Sequence, residues 1–81
     1  MSAHIYFVRL PAVEGKKTAS WAVLAKADHV FLGTVKWFAR WYQYSFFPQI
    51  DTVFERTCLR DIADFCETET KSYRSTWSKK P

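Results

Sequence analysis

Glycine and proline are scarce in this 81-residue chain, at two and three residues, while 48% of it is apolar and 25% charged. That balance excludes disorder as the dominant state and predicts a packed globule. Long hydrophobic runs are also missing. The longest, Trp21 to Ala25 and Tyr44 to Phe47 with its Ser45, fall far short of the roughly eighteen apolar residues of a membrane span. Met1 to Leu10 has no basic start, and Ile5 to Val8 is too short for the apolar part of a signal peptide, so the expected location is cytoplasmic, with no membrane partner. A chain of this length buries only roughly 60–65% of its unfolded surface, enough for one core.

Cysteine is limited to Cys58 and Cys66. Eight residues apart on one predicted helix, they are separated by about 12 Å of rise and cannot bridge. No C-x-x-C or H-x-x-x-H spacing occurs, so neither a metal site nor a cofactor is expected, and both thiols read as small core side chains. With Gly15 and Gly33 the sole glycines, no loop can cradle a phosphate. Asp28 and His29 are adjacent in a turn, where side chains diverge, and Asp61 and Asp64 share a helix face with nothing to mark it as a desolvated cleft. Ser20 and Ser45 lie in no motif, and Cys58 points inward by helical phase, away from any role as a nucleophile. No enzyme activity is expected.

Charge is segregated along the chain. Residues 1–50 carry Arg9, Lys16, Lys17, Lys26, Lys36 and Arg40 against Glu14 and Asp28, a net +4. Residues 51–69 are net −4, and the last twelve return to +4 through Lys71, Arg74, Lys79 and Lys80. A polyanion would meet the N-terminal part or the tail and be repelled between them.

Ile5 to Leu10 is rich in strand formers and ends at Pro11. Residues 11–19 read as an exposed, mobile connection, and Trp21 to Ala25 as a short strand. Asp28 can then bond its own backbone two residues on, closing a turn before a strand from Val30 to Phe38. A hairpin joins this strand to Trp41–Phe47. A loop of two or four residues pairs odd positions of the first strand with even positions of the second. One face then shows Phe31, Gly33, Val35, Trp37, Tyr42, Tyr44 and Phe46. The other shows Leu32, Thr34, Lys36, Phe38, Trp41, Gln43, Ser45 and Phe47. Thr52 to Glu55 has capping-box spacing, and Phe54, Cys58, Leu59, Ile62, Phe65 and Cys66 repeat at helical intervals, predicting a helix to about Tyr73. The expected fold is α+β: an antiparallel sheet of three or four strands with one C-terminal helix packed on one face. Residues 1–74 form the domain and 75–81 a basic flexible tail containing Trp77.

Fifteen of the 81 residues are aromatic, seven of them between Trp37 and Phe47. One amphipathic helix can cover one face of the hairpin, not both. Phe38, Trp41 and Phe47 are therefore either covered by the first loop and the tail or left as an exposed patch. Exposed Trp, Tyr and Arg at a hairpin tip suit protein binding, and the same rings with interleaved cations suit stacking of unpaired bases. The candidate partner-binding residues are Lys36, Trp37, Phe38, Arg40, Trp41, Tyr42 and Tyr44. A homodimer formed through the hairpin would hide the same rings.

Gly33-Thr34-Val35-Lys36-Trp37-Phe38 resembles the opening of a cold-shock domain, a single-stranded nucleic-acid-binding barrel, with Tyr44 and Phe46 at the spacing of its first RNP motif. This resemblance implies Trp37, Tyr44 and Phe46 as a base-stacking platform and Lys36 as a phosphate contact. Gln43 and Ser45 replace that family's glycines, Tyr42 its motif lysine, and no second RNP motif follows. The wider pattern FLGTVKWFARW, YSFFP and TVFERTCLRDIADF, about residues 30–66, resembles short proteins encoded in bacteriophage and prophage genomes. That implies a small accessory protein which binds and disables a host protein or nucleoprotein machine, as anti-CRISPR proteins do.

Overall fold

The computed structural model describes residues 4–12, 14–15 and 17–77. Strands β1 (Ile5–Arg9), β2 (Ser20–Ala25), β3 (Phe31–Phe38) and β4 (Gln43–Pro48) form one antiparallel sheet in chain order, and helix α1 (Arg56–Trp77) packs across one face. This is the expected α+β architecture, with four strands. The Asp28 turn forms as its side chain allows, Oδ1 accepting from the Val30 N–H at 3.2 Å. The β3–β4 loop spans the four residues 39–42, because Phe38 pairs with Gln43.

An even loop makes the parity of the hairpin hold over most of its length. Val35 pairs with Phe46 and Trp37 with Tyr44 on one face, while Thr34 pairs with Phe47 and Lys36 with Ser45 on the other. Ile5 and Phe7 of β1 and Trp21 and Val23 of β2 share the first face, which α1 covers with Cys58, Ile62, Phe65 and Cys66. Val23 and Val35 are fully buried at its centre.

Parity fails at one end of β3. Val23 pairs with Gly33 but Leu24 pairs with Phe31, so Leu32 is an extra, bulged residue. Leu32 turns to the core, whereas Phe31 joins Leu24 on the uncovered face, and the faces expected for these two residues are exchanged. Gly33 stands beside the bulge for a steric reason: a Cβ there would lie 2.6 Å from the Phe46 ring and 2.6 Å from the Phe47 carbonyl oxygen.

Helix α1 begins later and ends later than its sequence pattern suggests. Thr52 Oγ1 donates to the Gln49 carbonyl at 2.7 Å and lies four residues before the first helical residue, too far to cap it. Glu55 does so instead, Oε1 accepting from the Cys58 N–H at 2.6 Å. That hydrogen bond holds the Glu55 carboxyl below its ordinary pKa. At the other end Ser75 to Trp77 are helical rather than part of a tail, and 78–81 lie outside the described residues.

The two edges of the sheet differ. The Tyr44 N–H on the outer side of β4 donates to Thr70 Oγ1 at 2.9 Å, and Arg74 Nη2 donates to the Tyr42 carbonyl at 2.7 Å. Pro48 has no N–H to leave exposed on the same edge. β1 is the other outermost strand, and no strand among the described residues flanks it.

Candidate functional site

The seven candidate residues divide between the two faces of the sheet. Trp37 and Tyr44 project to the helix side, where Trp37 meets Tyr44 at 5.2 Å and Tyr73 at 4.9 Å between ring centroids. Tyr44 also meets Trp21 at 5.4 Å and is only 5% exposed. Its hydroxyl accepts from the Ala19 N–H at 3.2 Å, and burial raises its pKa. Tyr44 is a packing residue and Trp37 a half-buried one packed against it on the helix side, a correction that follows from strand parity. Phe46 is engaged in the same way, 5.3 Å from Phe54. The platform implied by the cold-shock resemblance is therefore the floor beneath α1, and the chain forms a helix-covered four-stranded sheet.

Lys36, Phe38, Arg40, Trp41 and Tyr42 remain on the open side or at the hairpin tip. Ala39–Trp41 form a single 3₁₀ turn, and Tyr42 closes it in the left-handed region (φ 54°, ψ 44°) with its N–H on the Ala39 carbonyl at 3.2 Å. That conformation disfavours a non-glycine residue, and it takes Tyr42 out of the strand alternation that would have put it under the helix. Trp41 is 60% exposed and Tyr42 61%. Phe38 lies edge-on to Trp41 at 4.9 Å and to Phe47 at 6.0 Å, and the Lys36 ammonium sits 4.6 Å over the Phe47 ring. The cluster is held by its own contacts and leaves Trp41 outermost.

Sequence reasoning missed how far this surface extends. Phe31, 41% exposed, lies on it with Leu24, and Tyr6 and Val8 of β1 continue it. Gly33 inside a strand pattern is the sequence signal that marks the bulge and so places Phe31. The Ser45 hydroxyl oxygen, on the same face, is buried and has no hydrogen-bond partner among the described residues.

None of the residues in the four strands is acidic, whereas α1 carries Asp61, Asp64, Glu67 and Glu69 balanced by Arg56, Arg60, Lys71 and Arg74. His29 Nδ1 is tied to the Tyr6 hydroxyl at 2.8 Å, while Asp28 is engaged with the Val30 amide. Among the described residues no group of three or more His, Cys, Asp or Glu side chains is placed to hold a metal ion. No helix of the described residues is long and apolar enough to cross a membrane.

No family model matches the chain, and no solved structure matches it. It is similar to an uncharacterized 9.3 kDa protein of Acholeplasma phage L2, 35% identical over 51 residues, which are 63% of this chain and 65% of that protein. The shared stretch thus spans less than two-thirds of each chain, and the resemblance to small phage proteins rests on it.

Proposed function

We propose that this chain is a non-catalytic phage-type accessory protein that acts by binding a host protein or nucleoprotein machine, as anti-defence inhibitors do. The contact surface is the open face of the sheet and the hairpin tip. The observation that carries this reading is the Phe38–Trp41–Phe47 cluster on the face α1 leaves uncovered, with Trp41 and Tyr42 about three-fifths exposed. Rigid aromatic side chains beside Arg40 are the residue types that dominate binding energy at protein interfaces. Val8, Leu24 and Phe31 widen the surface with apolar area and only Lys36 adds a strand cation, a composition closer to a protein interface than to a phosphate track.

The test has two arms. A photocrosslinking side chain placed at Phe31, in host cells expressing the protein, should capture one defined host component, and the same group at exposed Glu67 should not. Trp41→Ala should abolish both this crosslink and any relief of host defence scored by phage plating, with the circular dichroism spectrum unchanged. A crosslink that is equally strong from Glu67, or that survives Trp41→Ala, would remove the open face from the reading.

The acid-free strands and the Lys36–Phe47 contact favour one second reading, single-stranded nucleic-acid binding through Phe31, Phe38, Trp41 and Phe47. It requires that oligothymidine quench tryptophan fluorescence and that salt reverse the quenching, with a log–log slope of about −0.7 per phosphate contact.

A further inference from the structure

Where β1 stops at Arg9 and β2 starts at Ser20, one end of the sheet holds a cleft of about 310 Å³. Three cations line it from three segments: Arg9 from β1, Lys17 from the connection before β2, and Lys36 from β3. Three hydroxyl side chains, Thr18, Ser20 and Thr34, share the lining, and Ser20 lies directly across the β2–β3 ladder from Lys36. No carboxylate is among the lining residues. Glu69 stands on the wall of a neighbouring cleft that Arg9 and Lys17 also line, while Glu14 lines neither, so the two clefts together hold three cations to one acid. Among the described residues none of the three cations is ion-paired, and none of the three hydroxyls makes a side-chain hydrogen bond. Arg9 lies 5.8 Å from the Trp21 ring centroid and the Lys36 ammonium 4.6 Å from that of Phe47, contacts much weaker than an ion pair with an anion.

We propose that this cleft binds the phosphate groups of a small phosphorylated molecule, with Arg9 and Lys17 as the principal charge partners and the hydroxyls as further donors. Like charges gathered at one place repel each other, and a multiply charged anion between them turns that repulsion into attraction. A guanidinium can grip two phosphate oxygens at once, and an ammonium adds a point charge with three donors. Recognition rests on side chains, because a connection with Gly15 as its one glycine offers no backbone cradle. Size selects a small molecule: the cleft is at the lower end of small-ligand sites, whereas a nucleic-acid strand needs a groove that tracks its backbone. The site is separate from the aromatic surface assigned to partner binding, since Phe31, Trp41 and Tyr42 line no part of it.

Isothermal titration calorimetry with inorganic pyrophosphate and with adenosine diphosphate, at fixed ionic strength, tests the proposal. At least one of the two probes should fill a single saturable site per chain. Arg9→Gln and Lys17→Gln, both at exposed positions and checked for an unchanged circular dichroism spectrum, should each weaken binding about tenfold or more. Lys71→Gln, which removes an ammonium paired with Glu67 on α1, and Trp41→Ala on the aromatic surface should leave it unchanged. No saturable heat with either probe overturns the proposal, and so does binding that Arg9→Gln and Lys17→Gln leave intact. If a 5′-phosphorylated oligothymidine binds through these two residues while neither small probe does, the cleft is a strand contact and the small-ligand assignment falls.

Discussion

Gly33→Ala tests the bulge, and with it the assignment of side chains to the two faces of the sheet. A methyl group at this position would stand 2.6 Å from two atoms of the Phe46 ring and 2.6 Å from the Phe47 carbonyl oxygen. The ring could turn aside, but the carbonyl belongs to the β3–β4 ladder and could retreat only by loosening the pairing of Gly33 with Pro48 and Thr34 with Phe47. Overpacking of this kind costs up to about 3 kcal/mol, and an obstacle made of backbone places the expectation at that upper end. For a domain of this size, whose total stability is on the order of 4–12 kcal/mol, each lost kcal/mol lowers the thermal midpoint by roughly 4–8 °C. Gly33→Ala should therefore melt roughly 12–24 °C below the parent, measured by circular dichroism with urea unfolding as a second probe. In a Phe46→Ala background the penalty should shrink, since the ring half of the clash is gone, but it should not vanish. A Gly33→Ala protein that melts within a degree or two of the parent would show that β3 runs in another register. Phe31 and Leu32 would then lose their assigned faces.

Three further outcomes follow from the same geometry. Trp37→Ala should cost about 3–5 kcal/mol because it empties space between Tyr44 and Tyr73, while Trp41→Ala, at an exposed tip, should cost less than about 1 kcal/mol; paired thermal melts compare them. Glu55→Ala should lower the melting temperature at neutral pH by removing the helix cap. The Glu55 carboxyl titrates lower when folded than when unfolded, so its contribution is present above the unfolded pKa and fades as pH falls through the folded one. The parent and the variant should therefore converge in acid. Burial pushes the Cys66 thiol up to about 11 and raises Cys58 as well, so iodoacetamide at mildly alkaline pH should leave both unmodified until denaturant is added, as read by mass spectrometry.

Much of the fold was legible because its signals are local. Pro11, Asp28 and the alternating residues of the hairpin determine strands and turns through interactions a few residues long. The even loop follows from the apolar pattern alone, since any odd loop would mix the two faces. Glu55 shows the limit of this locality. The spacing from Thr52 to Glu55 matches a capping box, yet Thr52 turns back to Gln49 and the helix starts one residue after Glu55.

The candidate site was half legible for a related reason. Chain composition by itself determined that the sheet would carry more aromatic rings than one helix can cover. Which rings lie bare depended on the tertiary structure. Trp37 and Tyr44 differ from Phe38 and Phe47 in residue type very little, and their fates separate only because α1 docks on one side. Phe31 reaches the open face through a single inserted residue, and Tyr42 leaves the covered one through a left-handed turn tied to Arg74. Likewise the contrast between the two sheet edges arises where helix residues 70 and 74 meet β4 and its turn, about thirty residues away in sequence. Local sequence determines period and turn chemistry, whereas burial of a particular ring depends on which distant surface packs against it.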